Sequence, residues 1–329
     1  VEGISMIRNN DFIIVNEAQS NRFKSLYVTP GGKAYLGLNQ GYIIIDTNDS
    51  YILKQSPYTK SKDIQYSDDI LYIATNSGII IKNLNSNREK TLLTNYKIYS
   101  IFLAPDKRLW IGTNHGLFIY ENEAIFDYTD SHDGIPSRIN KIYQDKKNNI
   151  WFATNKGLYY YDGIDFYCYL SEDGLLDDYT ISIIEDSQER IWQGTRKGIT
   201  IFENNHWRKF NQYPHLNNDV IKSMNKDSQN RIWINTKSRI IIYDNNDFTI
   251  YTPDSVFNNA IINHITEDKT GQVWFATNEG VIIFNNKEYK YYPYYLENST
   301  KTRSINKIIP ISSNSAWLAT ETGLAYYQN

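Results

Sequence analysis

The chain contains a single cysteine, Cys168, among its 329 residues. One thiol cannot form a disulfide within the chain, and it cannot supply a cysteine-rich zinc site. An apolar core must therefore hold the fold together, and a chain of this length is long enough to bury one. The lone cysteine leaves the cellular compartment open.

Long apolar runs and a strong charge of either sign are also missing. Apolar stretches such as 78–81 last only a few residues, whereas a membrane-spanning helix needs about 20. The net charge is -3, with both signs mixed along the chain. This pattern gives no basis for nucleic-acid steering or for a polybasic membrane patch. We therefore expect neither a nucleic-acid partner nor direct membrane insertion.

Aromatic residues, in contrast, are plentiful. The chain has 28 Tyr and 7 Trp, and Ile and Asn are also abundant. Tyr, Trp and Ile favour strands, and Asn favours turns. No stretch of ten or more residues shows a helical periodicity. The composition therefore favours an all-β fold.

One phrase recurs along the chain at nearly constant intervals. It reads Leu-Trp-Ile-Gly-Thr-Asn-His-Gly-Leu at 109–117 and Ile-Trp-Phe-Ala-Thr-Asn-Lys-Gly-Leu at 150–158. Successive copies lie 37 to 43 residues apart. Their aromatic anchors are Tyr35, Tyr72, Trp110, Trp151, Trp192, Trp233, Trp274 and Trp317. Such a period indicates a repeat architecture in which each copy is one structural unit.

Each copy predicts four short strands separated by turn residues. Around Trp192 the strands are predicted at 181–185, 191–195, 199–202 and 207–210, with Asp, Asn and Gly between them. Four strands in about 40 residues is the size of one propeller blade. The predicted fold class is therefore an all-β propeller of four-stranded antiparallel blades.

The recurring positions of the phrase have structural interpretations. The aromatic anchor suits packing between blades, and the Gly or Ala two residues later indicates a close approach of neighbouring sheets. The later glycine suits a turn with positive φ. An Asp six residues before the Trp suits a hairpin turn; examples are Asp145, Asp186, Asp227 and Asp268. Catalysis would not require so many copies, so we interpret the phrase as architectural.

The two ends of the chain predict how the propeller closes. Residues 2–12 resemble the outer half of a copy, and the chain stops at Asn329 just after a third strand. We expect residues 1–329 to form a single domain in which 1–20 and 300–329 share one composite blade, leaving no exposed sheet edge. Seven whole copies plus this blade favour eight blades. A seven-bladed ring cut from a longer array is the alternative.

The phrase resembles the two-component regulator propeller repeat. The matching residues are Asp145 to Leu158, the link Asp133-Gly134-Ile135-Pro136-Ser137, and its shorter form Asp173-Gly174-Leu175. The resemblance covers essentially the whole chain and is weaker in the first two copies, where Tyr replaces Trp.

The resemblance implies the periplasmic or extracellular sensor region of a hybrid two-component system, typical of polysaccharide-degrading Bacteroidetes. It implies an oligosaccharide or other small ligand as partner. It also implies adjoining propeller, β-domain and kinase modules, so that this chain is a sensor fragment or a shorter relative. A protein-interaction scaffold on a cell-surface or secretion assembly is the alternative function.

Candidate ligand-binding residues lie in the turns between the second and third strands and in the links between blades. Both sets of loops are expected on one face of a propeller, where sequence varies most. Planar polar groups beside aromatic rings suit a sugar. The candidates are His115, His132, Lys156, Arg196, Lys197, Tyr213, His215, Lys237, Arg239, Tyr292 and Tyr294. Arg239 replaces a turn glycine and predicts a locally different turn.

No motif for catalysis is present. The five His residues show no metal-ligand spacing, and neither a nucleophile elbow nor a phosphate-binding glycine loop occurs. We therefore expect no catalytic residues, no metal and no cofactor, and interpret the chain as a non-enzymatic binder.

Overall fold

The structure is a computed structural model of the chain. It describes residues 4–8, 11–15, 25–28, 34–37, 40–45, 51–59, 61–129, 138–210, 216, 219–237, 239–245, 247–251, 260–295, 304–320 and 324–328. By internal contacts the chain divides into two units. The first contains Val1–Thr94, Asp227–Gln229 and Tyr251–Asn329, and the second contains Asn95–Lys226 and Asn230–Ile250.

The second unit holds four antiparallel sheets, each built from four strands in chain order. The first sheet has β11 (Ile98–Leu103), β12 (Leu109–Thr113), β13 (Leu117–Glu121) and β14 (Ala124–Asp127). The next has β15 (Ile139–Gln144), β16 (Ile150–Thr154), β17 (Leu158–Tyr161) and β18 (Phe166–Tyr169). A short 3-10 helix, Ser171–Asp173, leads to β19 (Thr180–Glu185), β20 (Ile191–Thr195), β21 (Ile199–Glu203) and β22 (His206–Lys209). The last has β23 (Ile221–Lys226), β24 (Ile232–Thr236), β25 (Ile240–Asp244) and β26 (Asp247–Tyr251).

The first unit holds three further four-stranded sheets. One has β3 (Ser25–Val28), β4 (Ala34–Gly37), β5 (Gln40–Ile45) and β6 (Tyr51–Thr59). Another has β7 (Ser61–Ser67), β8 (Ile70–Thr75), β9 (Gly78–Asn83) and β10 (Glu89–Leu92). The third has β27 (Ile262–Glu267), β28 (Val273–Thr277), β29 (Gly280–Phe284) and β30 (Tyr289–Pro293).

The two ends of the chain share one five-stranded sheet. It contains β1 (Ile4–Arg8), β2 (Asp11–Val15), β31 (Ile305–Ser312), β32 (Ser315–Thr320) and β33 (Leu324–Gln328). β1 lies between β2 and β33, and it pairs with β33 in parallel, with Ser5 opposite Ala325. The predicted sharing of one sheet by both ends is confirmed, whereas the fifth strand and the parallel pair were not predicted.

These sheets confirm the predicted β-propeller of four-stranded antiparallel blades. Among the described residues there are seven four-stranded sheets, which is the blade number of the seven-bladed alternative. The five-stranded sheet shared by the two ends is additional to these seven. The prediction that residues 1–329 form a single domain stays a prediction.

The aromatic anchors lie between sheets, as predicted. Trp110 packs against Phe152 of the next sheet at 5.5 Å between ring centroids, and Trp192 packs against Tyr243 at 4.7 Å. Both Trp side chains are fully buried. The small residue after them is needed for contact, because a Cβ on Gly194 would lie 2.7 Å from Ile221 Cγ2.

The turn between the second and third strands is built the same way in many copies. In the copy around Trp151, Thr154 Oγ1 donates a hydrogen bond to the Gly157 carbonyl at 2.7 Å and accepts one from the Lys156 N–H at 3.1 Å. Gly157 has φ +115°, a conformation that glycine adopts without strain. The motif therefore fixes the backbone and leaves the side chains at 155–156 and their counterparts free to vary.

Candidate ligand-binding surface

The first strands and the second-to-third turns of the second unit meet at one end of its sheets. The Asn114 N–H donates to the Lys97 carbonyl at 3.0 Å, and the Asn155 N–H donates to the Arg138 carbonyl at 3.3 Å. Each turn therefore lies beside the residue that precedes the first strand of the same sheet. Variable side chains from both places are brought together there.

Two tyrosines and two arginines alternate at this end, and we call them the tyrosine–arginine row. The guanidinium carbon of Arg138 lies 4.5 Å from the ring centroid of Tyr99 and 6.0 Å from that of Tyr179. The guanidinium carbon of Arg196 lies 4.3 Å from the Tyr179 ring. Each such cation–π contact contributes about 0.5–1 kcal/mol at an exposed site. The row presents aromatic faces and fixed hydrogen-bond donors side by side.

Hydrogen bonds beneath the row hold its backbone in place. Asn140 Nδ2 donates to the Thr180 carbonyl of the next sheet at 2.9 Å. The fully buried Gln193 donates to the Asp177 carbonyl at 3.0 Å and to Thr180 Oγ1 at 2.8 Å, and its own oxygen accepts from Thr200 Oγ1. Residues 177–180, which carry Tyr179, are thus anchored to the sheet, and a ligand would meet a preorganised surface.

Two buried polar atoms beside the row have no hydrogen-bond partner within the described part of the chain. They are Nε of Arg138 and Oδ1 of Asn155. Buried polar groups are normally paired, and leaving one unpaired costs about 1–3 kcal/mol. The two residues are adjacent, since the Asn155 N–H donates to the Arg138 carbonyl, so a ligand or water at this point could satisfy both atoms.

Four of the candidate residues lie at this surface. His115 is exposed and contacts the Tyr96 ring edge-on at 5.8 Å. Lys156 and Arg196 are also exposed, and Arg196 belongs to the row. Lys197 Nζ lies 3.8 Å from Asp177 Oδ1.

Lys237 and Arg239 lie in the corresponding turn of the last sheet of this unit. Burial and the nearby positive charge of Lys237 lower the pKa of Lys222 below its usual value. Arg239 Nε lies 3.2 Å from Asp219 Oδ2. The Thr236 N–H donates to the Arg239 carbonyl at 3.0 Å, the bond that Thr113 makes to Gly116. The turn keeps this backbone bond, and the Arg239 N–H also donates to Thr236 Oγ1 at 3.1 Å. The different turn expected at Arg239 stays a prediction.

Tyr292 and Tyr294 belong to the first unit. Tyr294 is only 3% exposed and packs in the core with Trp274 and Ile305, so its ring stabilises the interior instead of presenting a surface. Tyr292 contacts the ring of Tyr327 at 5.2 Å and lines a small cleft of about 100 Å³. The cleft is also lined by Gln272, Ile283, Asn285, Lys290, Ser313 and Asn314.

The remaining candidates, His132, Tyr213 and His215, lie outside the described residues. Within the residues the structure does describe, no group of three or more His, Cys, Asp or Glu side chains could hold a metal ion. No helix of that same part is long and apolar enough to cross a membrane.

The sequence predictions missed Tyr99, Arg138, Tyr179 and Gln193. All four depart from the repeat. One repeat length away, Arg138 and Tyr179 occupy the same position as Lys97, and Gln193 stands where Ile111 and Phe152 stand in other copies. The signal for the row lies in these residues at the starts of the first strands and in the second strand, which differ from copy to copy.

Comparison with known proteins agrees with this architecture. The two component regulator propeller family model matches residues 92–115, 133–156 and 255–279. A search of curated proteins found no match.

Solved structures with the same fold include the extracellular domains of two proteins assigned to the hybrid two-component systems of B. thetaiotaomicron. BT3049 has a TM-score of 0.63 at 18% identity, covering 93% of this chain and 51% of that one. BT4673 has a TM-score of 0.56 at 17% identity, covering 94% and 52%. The chain thus spans about half the length of these domains.

An enzyme shares the fold as well. Virginiamycin B lyase from Staphylococcus aureus has a TM-score of 0.57 at 14% identity, covering 94% of this chain and 95% of the lyase. Because these identities are low, the structural likeness defines the fold alone. Together with the sheet topology, it identifies the chain as a β-propeller, in which residues 92–115, 133–156 and 255–279 match the two component regulator propeller model.

Proposed function

We propose that this propeller is the ligand-sensing part of a two-component signalling system, acts in the periplasm or outside the cell, and recognises an oligosaccharide. The observation that carries the proposal is the tyrosine–arginine row, with Arg138 and Arg196 held against the rings of Tyr99 and Tyr179. A sugar ring packs its C–H face on an aromatic ring, and its hydroxyl groups need fixed donors and acceptors beside that ring. The row supplies the aromatic faces and the fixed donors.

Three further facts support a sensing role. The chain carries two-component regulator propeller repeats, and it shares its fold with extracellular domains of proteins assigned to such systems. It also spans about half of those domains. We therefore propose that further propeller, β-domain and kinase modules adjoin this chain in the signalling protein. Binding, not catalysis, is its proposed activity.

A thermal-shift screen against plant and host oligosaccharides tests the proposal. A ligand at 100 times its Kd should raise the melting midpoint by about 5 °C. The double variant Tyr99→Ala/Tyr179→Ala should lose the shift, because it removes both stacking faces. Tyr167→Ala is the matched control, since Tyr167 is 41% exposed on the outer strand β18 and should leave the shift unchanged.

Two outcomes would contradict the proposal. If no oligosaccharide moves the midpoint, the surface is not a sugar site, and capture of a purified envelope protein would then favour the scaffold alternative. If a sugar moves the midpoints of the parent and the double variant equally, binding occurs elsewhere on the chain.

A further inference from the structure

The same surface carries more positive than negative charge. Within the described residues, six cationic side chains here make no ion pair with a carboxylate. They are Lys97, Arg138, Lys156, Arg196, Lys222 and Lys237. All six lie in the second unit, at or just before the starts of first strands or in second-to-third turns.

The carboxylates of this surface are already occupied. Asp177 lies 3.8 Å from Lys197, and Asp219 lies 3.2 Å from Arg239. Asp178 accepts the Ser171 N–H at 2.7 Å. Within the described residues, none of these three carboxylates forms an ion pair with the six cations.

The repeat itself does not require cations at these positions. The corresponding turn holds Asn76 and Ser77 in one copy, Asn114 and His115 in the next, and Asn278 and Glu279 in a later one. All of these turns form without a cation, since the threonine and glycine of the phrase supply their hydrogen bonds. The basic residues after Thr154, Thr195 and Thr236 must therefore be explained by something other than turn architecture.

We propose that the oligosaccharide bound at this surface is anionic and carries carboxylate or sulfate groups. This inference rests on the proposed function and narrows its ligand class. An arginine guanidinium offers paired donors that match the oxygens of a carboxylate or sulfate. In the row each guanidinium already lies on a tyrosine ring, so an acidic sugar stacked on Tyr99 or Tyr179 would place its anionic group at a donor pair.

Two details of the surface agree with an anionic ligand. Nε of Arg138 is a buried donor without a partner, and an anion is its best acceptor. Burial, and with it the positive charge of the nearby Lys237, lowers the pKa of Lys222. A bound anion between these lysines would relieve their repulsion.

Titration calorimetry on the unmodified chain separates the ligand classes. The probes are an oligogalacturonate and a chondroitin sulfate oligosaccharide, each beside its neutral counterpart made by carboxyl reduction or by desulfation and carboxyl reduction. We expect at least one acidic probe to bind about tenfold or more tightly than its neutral counterpart. Its affinity should fall as salt rises, because exposed charge interactions are screened.

Variants locate the charge effect. Arg138→Gln/Arg196→Gln should weaken the acidic probe about tenfold or more and leave any binding of the neutral counterpart nearly unchanged. The matched control is Lys147→Gln, because Lys147 is 68% exposed in the hairpin at the other end of its sheet. The control should bind as the parent does.

The outcomes distinguish this inference from the function on which it rests. Equal binding of acidic and neutral probes, without salt dependence, overturns the anionic ligand and leaves an oligosaccharide sensor. If neutral oligosaccharides of the thermal-shift screen bind and neither acidic probe binds, the anionic ligand is likewise overturned and the oligosaccharide sensor remains. Failure of every oligosaccharide overturns both proposals.

Discussion

At the scale of single residues, an aspartate and a tryptophan form one unit in several copies. Asp145 Oδ2 accepts the Trp151 Nε1–H at 2.7 Å, and its Oδ1 accepts the N–H groups of Lys147 and Asn149. The same bond joins Asp186 to Trp192 at 2.8 Å. The prediction that this Asp lies in a hairpin turn is confirmed. Its spacing from the Trp could not show that its second carboxylate oxygen accepts a hydrogen bond from the buried indole.

The copy around Trp110 lacks this aspartate. Ala104 takes its place, and Trp110 Nε1 is buried without a hydrogen-bond partner within the described residues. The turn is otherwise the same, since the Ala104 N–H donates to the Arg108 carbonyl at 2.9 Å as the Asp145 N–H does to Asn149. We expect Ala104→Asp to raise the free energy of unfolding by about 1 kcal/mol, as measured by urea denaturation.

The reverse change is the control for this prediction. Asp145→Ala should lower the free energy of unfolding by about 2–3 kcal/mol, because it leaves the Trp151 indole and two turn N–H groups unpaired. If Ala104→Asp lowers stability while Asp145→Ala behaves as expected, the space beside Trp110 differs from that beside Trp151, and the equivalence of the two copies is wrong.

At the scale of elements, a β-bulge recurs in the first strand of the sheets. The register shifts between Ile98 and Ser100 and again between Thr180 and Ser182. The serine at the bulge accepts an N–H from the next sheet: Ser100 Oγ from Ile142 at 3.2 Å, and Ser182 Oγ from Met224 at 3.0 Å. A bulge bends its strand and leaves a backbone group to be paired elsewhere, so this position joins neighbouring sheets.

His264 occupies the bulge position in the first unit and makes a hydrogen bond with the Ile308 backbone. Burial and the neighbouring Lys307 lower the pKa of His264 to about 3. The unfolded chain therefore binds one more proton than the folded chain between pH about 6.5 and 3, and the free energy of unfolding falls as the pH drops through that range. We expect His264→Ser to weaken this fall and to keep the bond between sheets, as Ser182 does.

Denaturation of both proteins at pH 7.5 and pH 4.5 checks this expectation. The stability of His264→Ser relative to the parent chain should improve on acidification. His115→Ser is the control, because His115 is exposed and should follow the parent at both values. An equal loss of stability in the parent chain and in His264→Ser would show that His264 becomes protonated in the folded chain at little cost.

The elements were predictable from the sequence to different degrees. The alternation of apolar residues and turn residues gave the four strands of a copy, because burial and turn chemistry are local. The bulge was not visible, since its position holds Ser100, Lys141 and His264 in different copies. The tyrosine–arginine row was missed for a related reason: its members come from different copies and meet only when neighbouring first strands pack side by side.

At the scale of the whole molecule, residues from both ends of the chain meet in one sheet. The resemblance of residues 2–12 to the outer half of a copy predicted that sheet, because a third and a fourth strand were present there without a first and a second. The parallel pairing of β1 with β33 follows from the same fact. Both strands correspond to the third strand of a copy, so the shared sheet holds two third strands side by side.

The shared sheet predicts that residues 1–15 stabilise the far end of the chain. Without β1, one side of β33 would present unpaired N–H and C=O groups, which promote pairing between molecules. We expect deletion of residues 1–15 to lower the melting midpoint and to cause concentration-dependent association in size-exclusion chromatography. Met6→Pro should act in the same direction and more strongly than Ile14→Pro, because β1 lies between two strands whereas β2 is at the edge. A truncated chain that melts at the same temperature as the parent chain and stays monomeric would show that the stability of β33 does not depend on β1.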